Sequence, residues 1–165
     1  MKRTTIKQIQ KLKKIKKITC LTAYTSSVSK IIDKYADIIL IGDSVGPAIY
    51  GMKNTQGVTL EMMKNHGRAV YKSSKKAFTI IDMPYQSYKN KKEALKNARD
   101  LLKFTKCQSV KMETDENNID IVNYLNKNNI NVVSHIGINP QKYKNFNKIR
   151  SVGNTNDEKE KICKL

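Results

Sequence analysis

Ile38-Ile39-Leu40-Ile41-Gly42-Asp43-Ser44-Val45-Gly46 is the stretch whose reading decides the fold. Its apolar run lacks polar alternation, which predicts a strand covered on both faces, as in a parallel sheet. The run ends in a small residue, a carboxylate, a hydroxyl and a glycine turn. In parallel α/β sheets chemistry gathers at the C-terminal strand edge, so Asp43 and Ser44 are the first candidate site residues.

Working outward, three further apolar runs end the same way. Ala77-Phe78-Thr79-Ile80-Ile81-Asp82 and Ser109-Val110-Lys111-Met112-Glu113 end in carboxylates, and Asn131-Val132-Val133-Ser134-His135 ends in histidine. A first strand is expected over Ile18-Thr19-Cys20-Leu21-Thr22-Ala23, with Cys20 as a small core residue. Helical periodicity fills the gaps at residues 26–35, 60–73, 90–105 and 119–128, and a last helix is expected from residue 156 to the C-terminus. The helix at 26–35 is expected to turn Val28, Ile31, Ile32 and Tyr35 inward and to be capped by Ser26 or Ser27. The segment between Asp43 and Gly57 reads as a loop, and residues 4–14 as a short amphipathic helix carrying Ile6, Ile9 and Leu12. That helix is too poor in Ser and Arg for a transit peptide and is expected in the mature fold.

Strand ends at 43, 82, 113 and 135 lie 39, 31 and 22 residues apart, the spacing of βα units. A (β/α)8 barrel and a doubly wound open sheet both satisfy this pattern. Residues 1–165 are read as one α/β domain.

Composition narrows the function. The chain has 32 Lys+Arg against 14 Asp+Glu, a formal charge of +18. The excess is nearly all Lys, is spread along the whole chain, and has no interleaved aromatics for base stacking. Nucleic acid is therefore not the expected partner, although weak polyanion binding at low salt is. No run approaches a membrane span. Three widely spaced cysteines, Cys20, Cys107 and Cys163, suggest neither a disulfide framework nor a zinc site, which fits a reducing cytoplasm.

Asp43, Asp82 and Glu113 should share one strand edge, with Ser44, Lys111 and His135 nearby. A lone Asp after a strand is often a turn residue, but three carboxylates together repel unless something compensates them. Hard oxygen ligands with room for water and substrate suit Mg²⁺. Lys111 alternates with Val110 and Met112, so its ammonium should point to the opposite face from theirs. His135 reads as a hydrogen-bonded neighbour of the site more than as a base, and His66 has no evident role.

These residues carry a resemblance. Thr22-Ala23-Tyr24, Gly42-Asp43-Ser44-Val45-Gly46, Val58-Thr59, Asp82-Met83-Pro84-Tyr85, Val110-Lys111-Met112-Glu113 and His135-Ile136-Gly137-Ile138-Asn139-Pro140-Gln141 resemble, in order and spacing, the ketopantoate hydroxymethyltransferases of the pantothenate pathway. The resemblance implies a (β/α)8 barrel, a Mg²⁺ ion, and a decameric homo-oligomer. It matches Asp43, Asp82 and Glu113 to metal ligands, and Asp43, Ser44, Asp82 and Lys111 to the 2-oxo acid site. The implied reaction moves a hydroxymethyl group from 5,10-methylenetetrahydrofolate to 3-methyl-2-oxobutanoate, giving 2-dehydropantoate.

A full barrel takes about 250 residues, so five strands are expected here in place of eight. The family's proton-abstracting glutamate falls beyond Leu165, and a complementing C-terminal chain is expected if the site is to work. Departures from the family pattern are Thr25 for Asp, Pro47 for Met, Gly57 for Pro and Thr114 for Gly, and Phe146-Asn147-Lys148-Ile149-Arg150 lacks the family's glycines. Two rival readings are a Mg²⁺-dependent lyase or mutase acting on 2-oxo acids, and a catalytically inert basic subunit that binds a partner or polyanion through its Lys surface.

Overall fold

The computed structural model describes residues 3–165. Five strands, β1 (Cys20–Thr22), β2 (Ile38–Ile41), β3 (Phe78–Asp82), β4 (Ser109–Glu113) and β5 (Val132–His135), form one parallel sheet. They pair in the order in which they occur in the chain. With right-handed crossovers, that order puts every connecting helix on the same face, whereas a doubly wound sheet reverses direction part-way. The connecting helices are α2 (Ser26–Ile32), α4 (Leu60–Ser73), α5 (Lys91–Thr105) and α6 (Ile119–Lys127), and each packs on the next as a single layer. The sheet is therefore of the barrel type, five strands wide.

Register assigns every strand residue to a face. Leu40 pairs with Ile80, Asp82 with Lys111, and Glu113 with His135, so these six side chains share the face away from the helices. Ile39, Ile41, Ile81, Val110 and Met112 alternate with them and form the core with Met63, Val70, Ala94, Ala98, Leu101 and Leu125 of the helices. Gly67 lets α4 approach closely: a Cβ there would stand 2.5 Å from Ile81 Cδ1 and 2.8 Å from Thr105 Cγ2.

Helix starts follow their caps. The side chains of Thr25, Thr59 and Asn90 accept from the backbone N–H of Val28, Met62 and Glu93. Thr25, in place of the expected Ser26 or Ser27, thus caps α2. Below the sheet, Asp33 accepts from the backbone N–H groups of Lys75, Lys76 and Ala77 and so ties α2 to the entry of β3. Arg3 fastens the N-terminal segment to the same place, donating to the carbonyls of Tyr71, Ser74 and Ala77.

Several expectations are corrected. The first helix, α1 (Ile6–Lys11), is shorter than residues 4–14, closed by a Thr5–Gln8 capping box. A short helix, α3 (Val45–Tyr50), occupies the segment read as loop; Pro47 lies in its first turn, where a proline is tolerated, and Gly51 ends it at φ +63. Cys20 is exposed because register places it on the Leu40 face, away from the helices, at the open edge of the sheet. In α2 only Ile32 of the predicted stripe is half-buried; Val28, Ile31 and Tyr35 are exposed, Tyr35 by 65%. The buried residue is Ser29, whose hydroxyl donates to the Val70 carbonyl.

Candidate active site

The end of β2 sets the site. The chain turns at Gly42, where a Cβ would lie 2.8 Å from Ser44 Oγ and 3.5 Å from Asp82 Oδ2. Glycine therefore allows the β2 and β3 ends to close on each other. The Asp43 N–H then donates to Asp82 Oδ2 at 3.1 Å, and Lys111 Nζ reaches Asp82 Oδ1 at 2.6 Å. Both oxygens of Asp82 are thereby engaged, its side chain only 5% exposed.

All six residues predicted from sequence, Asp43, Ser44, Asp82, Lys111, Glu113 and His135, line one cavity of about 290 Å³, with Leu40, Thr55, Pro140, Gln141 and Phe146. Convergence is incomplete. Among the described residues, no three His, Cys, Asp or Glu side chains lie close enough together to hold a metal ion as they stand. Asp82 is turned to Lys111, and Glu113 to the backbone of Gln141.

Sequence reading missed the residues that organise these groups. Gln141 donates from its backbone N–H to Glu113 Oε1 at 2.9 Å and from Nε2 to Asp43 Oδ2 at 2.7 Å. Tyr88 donates its hydroxyl to Gln141 Oε1 at 2.5 Å. Tyr24 and Ser44 share a hydrogen bond of 2.7 Å, and His66 anchors Tyr24 by donating Nδ1–H to its carbonyl. His66 Nε2 shares a hydrogen bond of 2.8 Å with the Tyr50 hydroxyl, so His66, unassigned from sequence, ties α3 and α4 to the β1 end. Gln141 and Tyr24 stand in motifs that carry the family resemblance, but neither is given a role there.

The electrostatics follow from crowding. Burial first, then the Asp82 charge, pushes Asp43 up to about 6, against the Gln141 and Lys111 contacts. Burial pushes Glu113 up to about 7, opposed first by the Gln141 N–H. Burial also raises Asp82, and the Lys111 ammonium opposes it. For His135, burial and then the Lys111 charge lower its affinity for a proton, so the imidazole is neutral at pH 7. Low-dielectric carboxylates with one ammonium among them form a pocket short of positive charge, suited to a hard cation and an anionic ligand together.

Thr114, one of the departures from the family pattern, follows Glu113 directly. Thr114 is buried and donates its hydroxyl to the Met112 carbonyl, and its N–H continues the pairing to His135. No helix among the described residues is long and apolar enough to cross a membrane.

Comparison with known proteins gives the family. The model of the ketopantoate hydroxymethyltransferase family matches residues 3–165. The 3-methyl-2-oxobutanoate hydroxymethyltransferase of Rhizobium rhizogenes is 40% identical over 162 residues, which are 98% of this chain and 59% of that protein. The Pelagibacter ubique enzyme of the same name is 41% identical over 120 residues, 73% of this chain and 47% of that protein. The chain thus spans about half the length of the curated relatives it matches. Among solved structures, oxaloacetate acetylhydrolase superposes with a TM-score of 0.60 at 10% identity, over 79% of this chain and 52% of that one. A 2,3-dimethylmalate lyase of the PEP mutase/isocitrate lyase superfamily gives 0.57 at 11% identity, over 76% and 50%. These two likenesses establish the fold alone. On the family-model match and the identity to its curated relatives, the chain belongs to the ketopantoate hydroxymethyltransferase family.

Proposed function

We propose that residues 3–165 carry the 2-oxo acid and metal site of a 3-methyl-2-oxobutanoate hydroxymethyltransferase, acting in pantothenate biosynthesis with 5,10-methylenetetrahydrofolate as the one-carbon donor. The observation that carries this reading is the cavity on which Asp43, Ser44, Asp82, Lys111 and Glu113 converge from three consecutive strand ends. The names of the curated relatives support it.

The donor set fits Mg²⁺, a hard cation that takes oxygen ligands, keeps water in its shell and avoids all-protein cages. Asp43, Asp82 and Glu113 would hold it: Asp43 and Glu113 through the oxygens that Gln141 leaves free, and Asp82 through an oxygen released from its present partner. When bound, the cation supplies positive charge at a keto oxygen, stabilising the charge that develops there as the C3 proton leaves. The chain's own residues do the rest of the binding. Lys111 presents its ammonium to the substrate carboxylate, and Ser44, held by Tyr24, offers a hydroxyl. Leu40 and Phe146 supply apolar wall for the branched carbon chain. None of these groups is assigned the C3 proton; by the family resemblance that role falls to a glutamate on a later strand. The three free cysteines are compatible with a reducing compartment such as the cytoplasm.

Calorimetry with Mg²⁺ and 3-methyl-2-oxobutanoate tests this reading. Joint binding that Asp43→Asn abolishes is expected, with deuterium exchange at C3 near background. Absence of heat with both ligands overturns it, and rapid Mg²⁺-dependent exchange would show that a residue of this chain serves as base.

A further inference from the structure

Gln141 is buried in the turn beyond β5, and every one of its polar groups has a partner on a different element. Its backbone N–H donates to Glu113 at the end of β4, and its backbone carbonyl accepts from Gln56 Nε2 at 2.8 Å. The two hydrogens of Nε2 go to Asp43 Oδ2 at 2.7 Å and to the Met83 carbonyl at 3.1 Å. Oε1 accepts from Tyr88. This set fixes the amide orientation without ambiguity. In a flipped amide the oxygen would press on the ionised Asp43 carboxylate and on a carbonyl, neither of which has a hydrogen to give.

One residue therefore touches the ends of β2, β3 and β4, and it holds two of the three carboxylates. We infer that Gln141 is a positioning residue: it sets the spacing and rotation of Asp43 and Glu113, and the Tyr88 hydroxyl sets which end of its amide faces Asp43. The inference deepens the metal reading above and rests on it. Ligating carboxylates that lose their outer hydrogen-bond partners lose metal affinity by about 10–100-fold. Gln141 is too well engaged to act as a ligand itself, and its role is to keep Asp43 from rotating toward solvent and Glu113 from swinging away from the cavity.

The test is calorimetric titration of Mg²⁺ alone into the 165-residue chain and four variants, with metal-free thermal midpoints measured alongside. Gln141→Met keeps the volume and backbone N–H but removes the amide, and Gln141→Asn keeps an amide too short to span to Asp43. Both should bind Mg²⁺ about 10–100-fold more weakly at little changed midpoint, and Tyr88→Phe should show the same effect at smaller size. Asp43→Asn is the control for the metal site. If Gln141→Met and Gln141→Asn bind as tightly as the unchanged chain, or tighter, the positioning role is overturned while the metal reading stands. If Asp43→Asn leaves affinity unchanged, the metal reading falls, and this inference with it. Should Gln141→Met lose its cooperative melt, Gln141→Asn and Tyr88→Phe decide by the same criterion.

Discussion

Lys111 and Asp82 are register partners across the β3–β4 pairing, and that pairing brings Lys111 Nζ to 2.6 Å from Asp82 Oδ1 in a site where the carboxylate is almost wholly buried. The ammonium offsets a charge that the fold itself puts out of reach of water. Lys111→Met should destabilise the chain by about 3 kcal/mol, because it leaves a buried carboxylate uncompensated. The double variant Lys111→Met/Asp82→Asn should regain at least half of that loss. A urea-denaturation double-mutant cycle measures the coupling, and strictly additive effects would contradict it.

The raised carboxylates predict opposite pH responses for stability and for metal binding. Asp43 and Glu113 hold protons more tightly in the folded chain, at about 6 and about 7, than when unfolded. Their stabilising contribution in the metal-free chain is full below the unfolded values and is lost as pH rises through about 6 and then about 7. The metal-free chain should therefore lose on the order of 2 kcal/mol between pH 5 and pH 8 at these two sites. Mg²⁺ needs the ionised forms, so its stabilising effect should grow over the same interval. Thermal melts at pH 5, 6, 7 and 8 with and without Mg²⁺ test both signs; parallel curves would refute the coupling.

Gly67→Ala sets helix propensity against packing. Alanine favours an exposed helix by about 1 kcal/mol over glycine. At Gly67 the added methyl meets Ile81 and Thr105, both buried and both β-branched. Overpacking should win, with a net loss of about 1–2 kcal/mol in chemical denaturation. A variant more stable than the parent would show that α4 can shift outward freely.

Val28 and Ile31 of α2 and Tyr35 in the turn after it, together with Leu21 of the edge strand β1, leave an exposed apolar surface beside unpaired backbone groups. Such a surface is an association hazard. Sedimentation of the isolated chain should show concentration-dependent self-association, and Ile31→Lys with Tyr35→Lys should reduce it several-fold. A monomer at all concentrations with a cooperative melt would argue against this.

The sheet and the cavity were legible because both rest on local pattern. Apolar runs ending in Asp43, Asp82 and Glu113 mark strand ends, and alternation with Val110 and Met112 is enough to point Lys111 to the other face. The α2 stripe misled because periodicity shows which residues share a face but not whether anything packs there; Ser29 faces α4 instead. Thr25, Ser26 and Ser27 offer equivalent hydroxyls, so the choice of cap belongs to the turn geometry. Gln141 escaped because its role lies in partners 98 and 53 residues away, and a polar residue beside a proline looks like any other loop.

The one-way strand order also bears on how the molecule is made. Each strand docks beside the one synthesised just before it, so the sheet can be laid down while the chain is still leaving the ribosome. Asp43 and Asp82 can then come side by side before residue 141 has been added. The contact that steadies them is the long return from Gln141 to Asp43, the last of the site's bonds to become possible. Assembly can thus run sheet first and clamp last, and a released chain ending before residue 141 would display the acidic cluster unrestrained.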